Sequence, residues 1–454
     1  MPSISRIGIP IWKALLLCGV LSLLVATDAY AVPAFARQTG ENCASCHVSF
    51  PELTPFGRYF KLTGYTLGER QALPLAMMVQ AGVTSSASKH DDTGAKIPKD
   101  GEVILQQASL FLAGKVNDNV GGFVQITYDG QAHHSGSDNI DLRAVDRTKL
   151  AGKELIYGLT LHNNPTVQDV WNSTPAFGFP WFTSYYAVGV PVSTLIDGGL
   201  GQASAGTGGY LYWDKSFYGE VSFYQTSDGI FSILRSGHTD PASKVALKGS
   251  NPYWRFAYNH EWGDHSLMLG TYGMQAQIYS DPLDTSSPKT KYTDTAVDFQ
   301  YQYITDDHTV TSQGTWIHEK QKYDGGLIAD PANAANIGAG APFNAGNTLN
   351  SFKGKLSYYY ERKYGATLGY FSTTGSADAG LINITDTVSG NTLSNVPNTK
   401  GYIVELDYVP LQNMRVQLQY TGFTQYSGNK TNYDGNGRSA KDNDSLLLGI
   451  WVSY

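Results

Sequence analysis

The chain has 454 residues, 16% of them charged, and a formal net charge of -7. That acidic balance disfavours a nucleic-acid partner, which calls for a basic patch, and favours attraction of cations. The 30 tyrosines, 49 glycines and 8 tryptophans, with so few charges, argue against a soluble enzyme and suit an all-β chain with aromatic belts, such as a membrane barrel.

Residues 1–31 read as a secretory signal peptide. Arg6 and Lys13 make a basic start, residues 14–26 an apolar run, and Ala29-Tyr30-Ala31 a small-residue cleavage site. The apolar run is too short to span a membrane in its own right. Cleavage removes Cys18 with two cations and one anion, leaving a slightly more acidic chain. A lipid anchor at Cys18 is disfavoured, because Leu17 precedes it where a small residue is expected. Past residue 31, no apolar run approaches the ~20 residues of a membrane helix.

Residues 32–72 carry the chemistry. Cys43-Ala44-Ser45-Cys46-His47 is a C-x-x-C-H box, the attachment signature of one covalently bound haem c. Two thiols at this spacing can each form a thioether to one haem edge. His47 is placed as the proximal axial ligand of the iron. A structural zinc site needs about four ligands, and the processed chain has no second cysteine pair. A thioredoxin-like reading needs a βαβ context, which is not visible. Downstream, Thr54-Pro55 predicts a helix N-cap followed by proline at the first helical position, and Gly64 a helix stop. Phe56, Tyr59 and Phe60 then share one face, either toward the haem or against a surrounding wall. Some 40 residues build little core, so this segment needs the haem and a host.

Residues 73–454 switch to period-two alternation. In Leu73-Pro74-Leu75-Ala76-Met77-Met78-Val79-Gln80 the pattern turns Leu75, Met77 and Val79 outward and Met78 inward with Ala76 and Gln80. Met78 is the candidate distal haem ligand, with simple packing as the alternative; His90, His133 and His134 read as loop residues. Val297–Tyr303, Tyr402–Tyr408 and Met414–Tyr420 alternate in the same way, with Ile403 out of place. Tight connections are predicted near 117–118, 151–152, 214–215, 263–264, 306–307, 362–363 and 411–412. Longer ones are predicted near 89–102, 130–138, 164–202, 227–250, 281–290, 322–346, 377–398 and 428–441. Their alternation gives about sixteen antiparallel strands, a transmembrane β-barrel with short turns toward the periplasm and long loops outside. Both barrel ends then lie on the periplasmic side, and the haem segment enters from there. Asp129, His133, His134 and Asp138 fall on one predicted external loop, either as Fe(II) contacts or as a solvated polar loop. The aromatic stretch at 164–202, with Trp171, Phe177, Phe179, Trp181, Phe182, Tyr185 and Tyr186, either folds into the lumen or lies at the surface. The final Gly449–Tyr454 strand, ending on an aromatic, resembles the recognition signal of outer-membrane barrels.

Pro33-Ala34-Phe35-Ala36-Arg37-Gln38-Thr39-Gly40, the haem box, and Phe50-Pro51-Glu52-Leu53-Thr54-Pro55-Phe56-Gly57-Arg58 together resemble the start of the fused monohaem cytochrome–porins of iron-oxidising bacteria. The resemblance is specific across residues 33–67 and architectural beyond. It implies a cytochrome segment plugging or capping a sixteen-stranded pore in the outer membrane of a Gram-negative bacterium. It also implies electrons taken from extracellular Fe(II), or another reduced donor. An apolar band ~25 Å tall is too thick for one haem to bridge unaided, so a periplasmic c-type cytochrome is expected to collect the electron. The other classes are a diffusion porin with a structural or gating haem plug, and a haem catalyst such as a peroxidase. The last needs acid/base groups beside the iron, and the segment's one histidine is already used.

Overall fold

The computed structural model describes residues 34–90, 95–165, 167, 169–171, 179–236 and 244–454. The expected signal peptide and Phe177 lie outside the described residues.

Three short helices come first: α1 (Ala34–Thr39), α2 (Cys43–Cys46) and α3 (Pro55–Leu62). Between α2 and α3 the chain makes a small antiparallel pair, His47–Ser49 with Glu52–Leu53. The barrel strands follow as β1 (Leu75–Ser86), β2 (Val103–Lys115), β3 (Val120–Asp129), β4 (His134–Leu150), β5 (Lys153–His162), β6 (Ser204–Trp213), β7 (Phe217–Thr226) and β8 (Asn251–Trp262). The second half comprises β9 (His265–Tyr279), β10 (Lys289–Ile304), β11 (His308–Tyr323), β12 (Gly346–Tyr360), β13 (Tyr364–Gly375), β14 (Thr399–Leu411), β15 (Met414–Gln425) and β16 (Ser445–Ser453). Each pairs antiparallel with its sequence neighbours, and β16 closes onto β1 through Trp451 opposite Gln80 and Ser453 opposite Met78. The ring satisfies every strand's ladder and leaves no edge, which is what a sheet in lipid requires.

Alternation decides which residues face lipid. On β10, Val297 and Phe299 are exposed on the outside while Asp298, Gln300 and Gln302 are buried within. On β14, Tyr402, Val404, Leu406 and Tyr408 face out and Glu405 and Asp407 face in. Ile403, the exception in the pattern, lines an inner cavity together with Phe179. At the tight-turn end, outward aromatics and histidines pack together, Phe217–Tyr258, Trp262–His265 and Tyr364–Tyr408 across neighbouring strands and His260–Trp262 along β8, at centroid distances of 5.1–5.5 Å. This is the interfacial girdle of an outer-membrane barrel.

All the predicted tight turns fall between strands, and the long connections lie at the opposite end. One expected loop is corrected. β4 already begins at His134, so the connection is only 130–133. Residues 134–138 read as a loop, but His134 to Ser137 pair with β3, and Asp138 stands in a bulge before pairing resumes at Ile140.

Val297→Arg puts a charge in the middle of the lipid face. It is expected to lower unfolding stability in vesicles by ~2–4 kcal/mol, measured by denaturant titration.

Candidate functional site

The N-terminal segment sits inside the ring at its tight-turn end and is bonded to the wall on many sides. Arg58 of α3 donates to Gln302 Oε1 at 2.6 Å, Gln300 Oε1 at 3.0 Å and Ser266 Oγ at 2.7 Å. Glu52 pairs with Lys355 of β12. Tyr65 donates to Asp141 Oδ2 at 2.6 Å, and Tyr210 donates to the Leu62 carbonyl at 2.5 Å. Arg415, held by Glu405 and Asp407, also donates to the Phe50 carbonyl at 3.0 Å. Burial in this closed interior pulls Lys61 down to about 8 and Arg58 down to about 10. Lys61 is stabilised by the carbonyls of Val167 and Asp169.

Those carbonyls belong to the 163–203 connection, which folds into the lumen. The carbonyl of Trp171 accepts from Gln300 and Gln313, and that of Phe182 from Gln417 and Gln419. Phe182 seats on Gly449, where a Cβ would come within 2.5 Å of its ring, and Phe179 on Gly369, where the gap would be 2.8 Å. Of the two placements open in the sequence, the lumen is the one observed for Trp171, Phe179, Trp181 and Phe182, while Tyr185 is exposed.

The box itself is one helical turn. Asn42 caps it by accepting from Ser45 N, and Cys43 and Cys46 stand at i, i+3 on a common face. The Thr54 amide donates to the Cys46 carbonyl at 2.9 Å, the Thr54 hydroxyl donates to the Ser45 carbonyl, and Arg362 holds the Ala44 carbonyl from the wall. Thr54 caps α3 as expected, with proline in the first turn. Gly57 lies directly over the box, and a Cβ there would sit 2.2 Å from the Cys46 carbonyl oxygen.

Two cavities flank His47. One, of 270 Å³, lies at the tight-turn mouth and is lined by Cys43, His47, Arg362, Lys363 and Arg415 among others. The second, of 460 Å³, runs inward between plug and wall, past Cys46, His47, Phe60, Met78, Trp181 and Trp451. Its size falls in the ~300–1,000 Å³ range of ligand pockets. Neither cysteine is in a disulfide. Burial pushes the Cys46 thiol up to about 11, with the Cys43 and Glu41 charges adding to it, and raises Cys43 as well. Burial lowers His47 to about 4 against a smaller opposing pull from the Pro51 and Glu52 backbone. The imidazole is therefore neutral, as a metal ligand must be. His47 Nδ1 and the Trp451 indole nitrogen are both buried without a hydrogen-bond partner. Two neutral thiols, a neutral imidazole and an aromatic-walled slot with orphaned polar atoms make a donor set that fits a covalently held haem.

The remaining expected residues divide. Met78 faces inward as the alternation predicts. The predicted aromatic face of α3 splits. Phe60 packs on Phe35 at 5.0 Å beside the inner cavity, Tyr59 turns to Glu154 on the wall, and Phe56 is exposed. Asp129, His133, His134 and Asp138 do not converge. Asp129 accepts from the amides of its own turn, His133 meets Tyr128 on the exposed side, and Asp138 turns inward to Thr127 and Gln202. Among the described residues no group of three His, Cys, Asp or Glu side chains could hold a metal ion. Their adjacency on a supposed loop was misleading because Asp129 ends β3, His133 lies in the turn, and Asp138 stands in a bulge of β4 that turns its carboxylate inward. Trp451 is the residue the sequence reading missed. Its inward place was legible from the Gly449–Trp451 alternation.

Fold and site together define an outer-membrane, porin-like β-barrel whose lumen is closed by an N-terminal plug and an inward loop. No protein-family model matches the chain, and a search of curated proteins finds no relative. Among solved structures it is similar to an anion-selective porin from Comamonas acidovorans, at 12% identity and TM-score 0.45, covering 84% of this chain and 98% of that one. It is also similar to the outer membrane channel DcaP of Acinetobacter baumannii, at 11% identity and TM-score 0.44, covering 84% and 96%. A third likeness is to a loop-deletion mutant of OmpT, an outer membrane protein of Vibrio cholerae, at 11% identity and TM-score 0.43, covering 84% and 98%. At these identities the likeness concerns the fold alone. The outer-membrane assignment rests on this barrel's own closure, apolar outer face and aromatic girdle.

Arg415→Met strands Glu405 and Asp407 without a cation and the Phe50 carbonyl without a donor. It is expected to cost ~3–5 kcal/mol in denaturant unfolding. Gly57→Ala is expected to lift α3 off the box and open the buried Arg58 and Lys61 bonds to trypsin, which spares them in the parent.

Proposed function

We propose that the protein is an outer-membrane electron conduit, carrying electrons from an extracellular donor, Fe(II) first among them, to a periplasmic c-type cytochrome. Cys43, Cys46 and His47 hold the prosthetic group, one covalently attached haem c, which supplies a one-electron carrier.

The observation that carries this reading is the filled lumen. Ser222, Arg255, Gln302 and Thr311 point inward from four different strands and each is 0% exposed. In an open diffusion pore such positions line water. Closure supports passage of charge over passage of solute. The chain's residues then have distinct tasks. Phe35, Phe60 and Trp181 keep water from the inner cavity. Arg362 fixes the box through the Ala44 carbonyl and Arg415 the following hairpin through the Phe50 carbonyl, at the tight-turn mouth, where the outer of the two cavities gives a docking protein access to the Cys43 side. The inward loop screens the other side from the long-loop end.

A diffusion porin with a gating plug is the competing reading, favoured by the polar inner wall that plug removal would uncover. It requires the Arg58, Glu52 and Tyr65 contacts to break together.

The test is the visible spectrum of the air-oxidised protein in detergent before and after Fe(II) at neutral pH, with planar-bilayer conductance on the same sample. Rapid appearance of reduced c-type bands, loss of covalent haem in the Cys43→Ala/Cys46→Ala double variant, and a closed bilayer trace are expected. A haem that dithionite reduces and Fe(II) does not would sink the iron assignment. Steady porin-sized conductance from the intact chain would sink the closed conduit.

A further inference from the structure

We infer that Met78, on barrel strand β1, is the second axial ligand of the haem iron, so that the iron joins the plug to the barrel wall. This rests on the haem reading above and adds to it the residue that completes the site.

The lining of the inner cavity includes few side chains with an atom able to ligate iron. Cys46 is committed to the thioether role and His47 to the proximal one. Lys61 is held by the carbonyls of Val167 and Asp169. The Tyr65 hydroxyl donates to Asp141 Oδ2 at 2.6 Å. Asp138 accepts from Thr127 through Oδ2 and from Gln202 through Oδ1. Met77 belongs to the opposite face of the strand and is 50% exposed on the outside of the barrel. Among the described residues, no histidine besides His47 lines this cavity. The amide side chains on the lining are engaged with one another and with the wall, Gln107 donating to Gln80, Asn139 to Gln125, and Gln125 to Ser109 and Thr127, which leaves the Met78 thioether as the soft donor.

Its setting suits the role. Met78 is 6% exposed and packs with Phe182, Trp451 and Phe50, and Phe50 in turn lies 5.1 Å from the His47 ring. The plug brings His47 to one side of the cavity and the wall brings Met78 to it, so a ligand pair forms only when the two are assembled. A soft thioether is a recognised haem ligand and raises the reduction potential, which suits a site that must draw electrons from a weak reductant such as Fe(II). It also closes the distal position, which disfavours peroxidase chemistry. The competing role is sulfur–aromatic packing without ligation. Leucine retains the packing volume and removes the sulfur, so it separates the two.

The experiment uses the full chain, purified in detergent from outer membranes, with Met78→Leu and Met78→His beside the parent. Electron paramagnetic resonance and near-infrared absorption are recorded on the ferric form and carbon monoxide binding on the ferrous form. In the parent, a low-spin ferric signal with the methionine-sulfur-to-iron charge-transfer band is expected. In Met78→Leu that band should vanish, high-spin iron should appear, and the ferrous protein should bind carbon monoxide. In Met78→His the low-spin signal should persist without the band, at a lower midpoint potential. Identical spectra in the parent and Met78→Leu would overturn the proposal, as would five-coordinate iron in the parent. If Met78→Leu does not assemble, the parent band and the Met78→His spectrum decide the question. Covalent haem in the parent without a methionine band would overturn the Met78 assignment alone. A parent without covalent haem would overturn the haem reading itself, and this assignment with it.

Discussion

A ring of sixteen strands encloses more space than its own inward side chains can fill. In this chain that surplus is occupied from both ends, and the rest of the structure depends on it. The segment Ala34–Leu62 fills the tight-turn half, and the 163–203 connection folds down from the long-loop half. They meet where Lys61 reaches the carbonyls of Val167 and Asp169. The segment would be far too small to hold a core alone; inside the barrel it borrows one.

The barrel side of this contact is polar, so the plug is keyed by hydrogen bonds and ion pairs more than by apolar packing. Arg58, Glu52 and Tyr65 from the plug, and Arg362 and Arg415 from the wall, each find a specific partner. Buried ion pairs of this kind add little net stability, because desolvation offsets attraction. Their value is directional: a rotated plug would leave several buried charges unpaired at once. This fixes which way the C-x-x-C-H turn faces. It places His47 between a cavity that opens at the mouth and one that runs inward.

The arrangement gives the proposed conduit a division of labour. The wall supplies insulation through Trp451 and Phe111, and the inward connection through Trp181. The plug supplies the thiols and the proximal imidazole. The two sides meet across the inner cavity, where a carrier held by both is protected from water and still within reach of a partner at the tight-turn end.

Much of this was legible in the amino-acid sequence. Period-two alternation and the spacing of turn residues set the strand count and the closed barrel, because side chains alternate faces along a strand, interrupted here at bulges such as those beside Gln80 and Val124. The same rule turned Met78 inward, and the Thr54-Pro55 signal placed α3. The box residues are contiguous, so their spacing is covalent information. What the sequence could not settle is what crosses the ring. Residues 134–138 looked like a loop because an inner barrel wall and a solvated loop share a composition. The four polar residues 129, 133, 134 and 138 looked like a cluster because nearness along the chain hides a strand end, a turn and a bulge that send them apart. The inward course of the 163–203 connection, the glycine seats at 369 and 449, and the meeting of Trp451 with Met78 join residues tens to hundreds of positions apart. Such contacts are fixed by barrel closure and by the volume left to fill, and only the tertiary structure decides them.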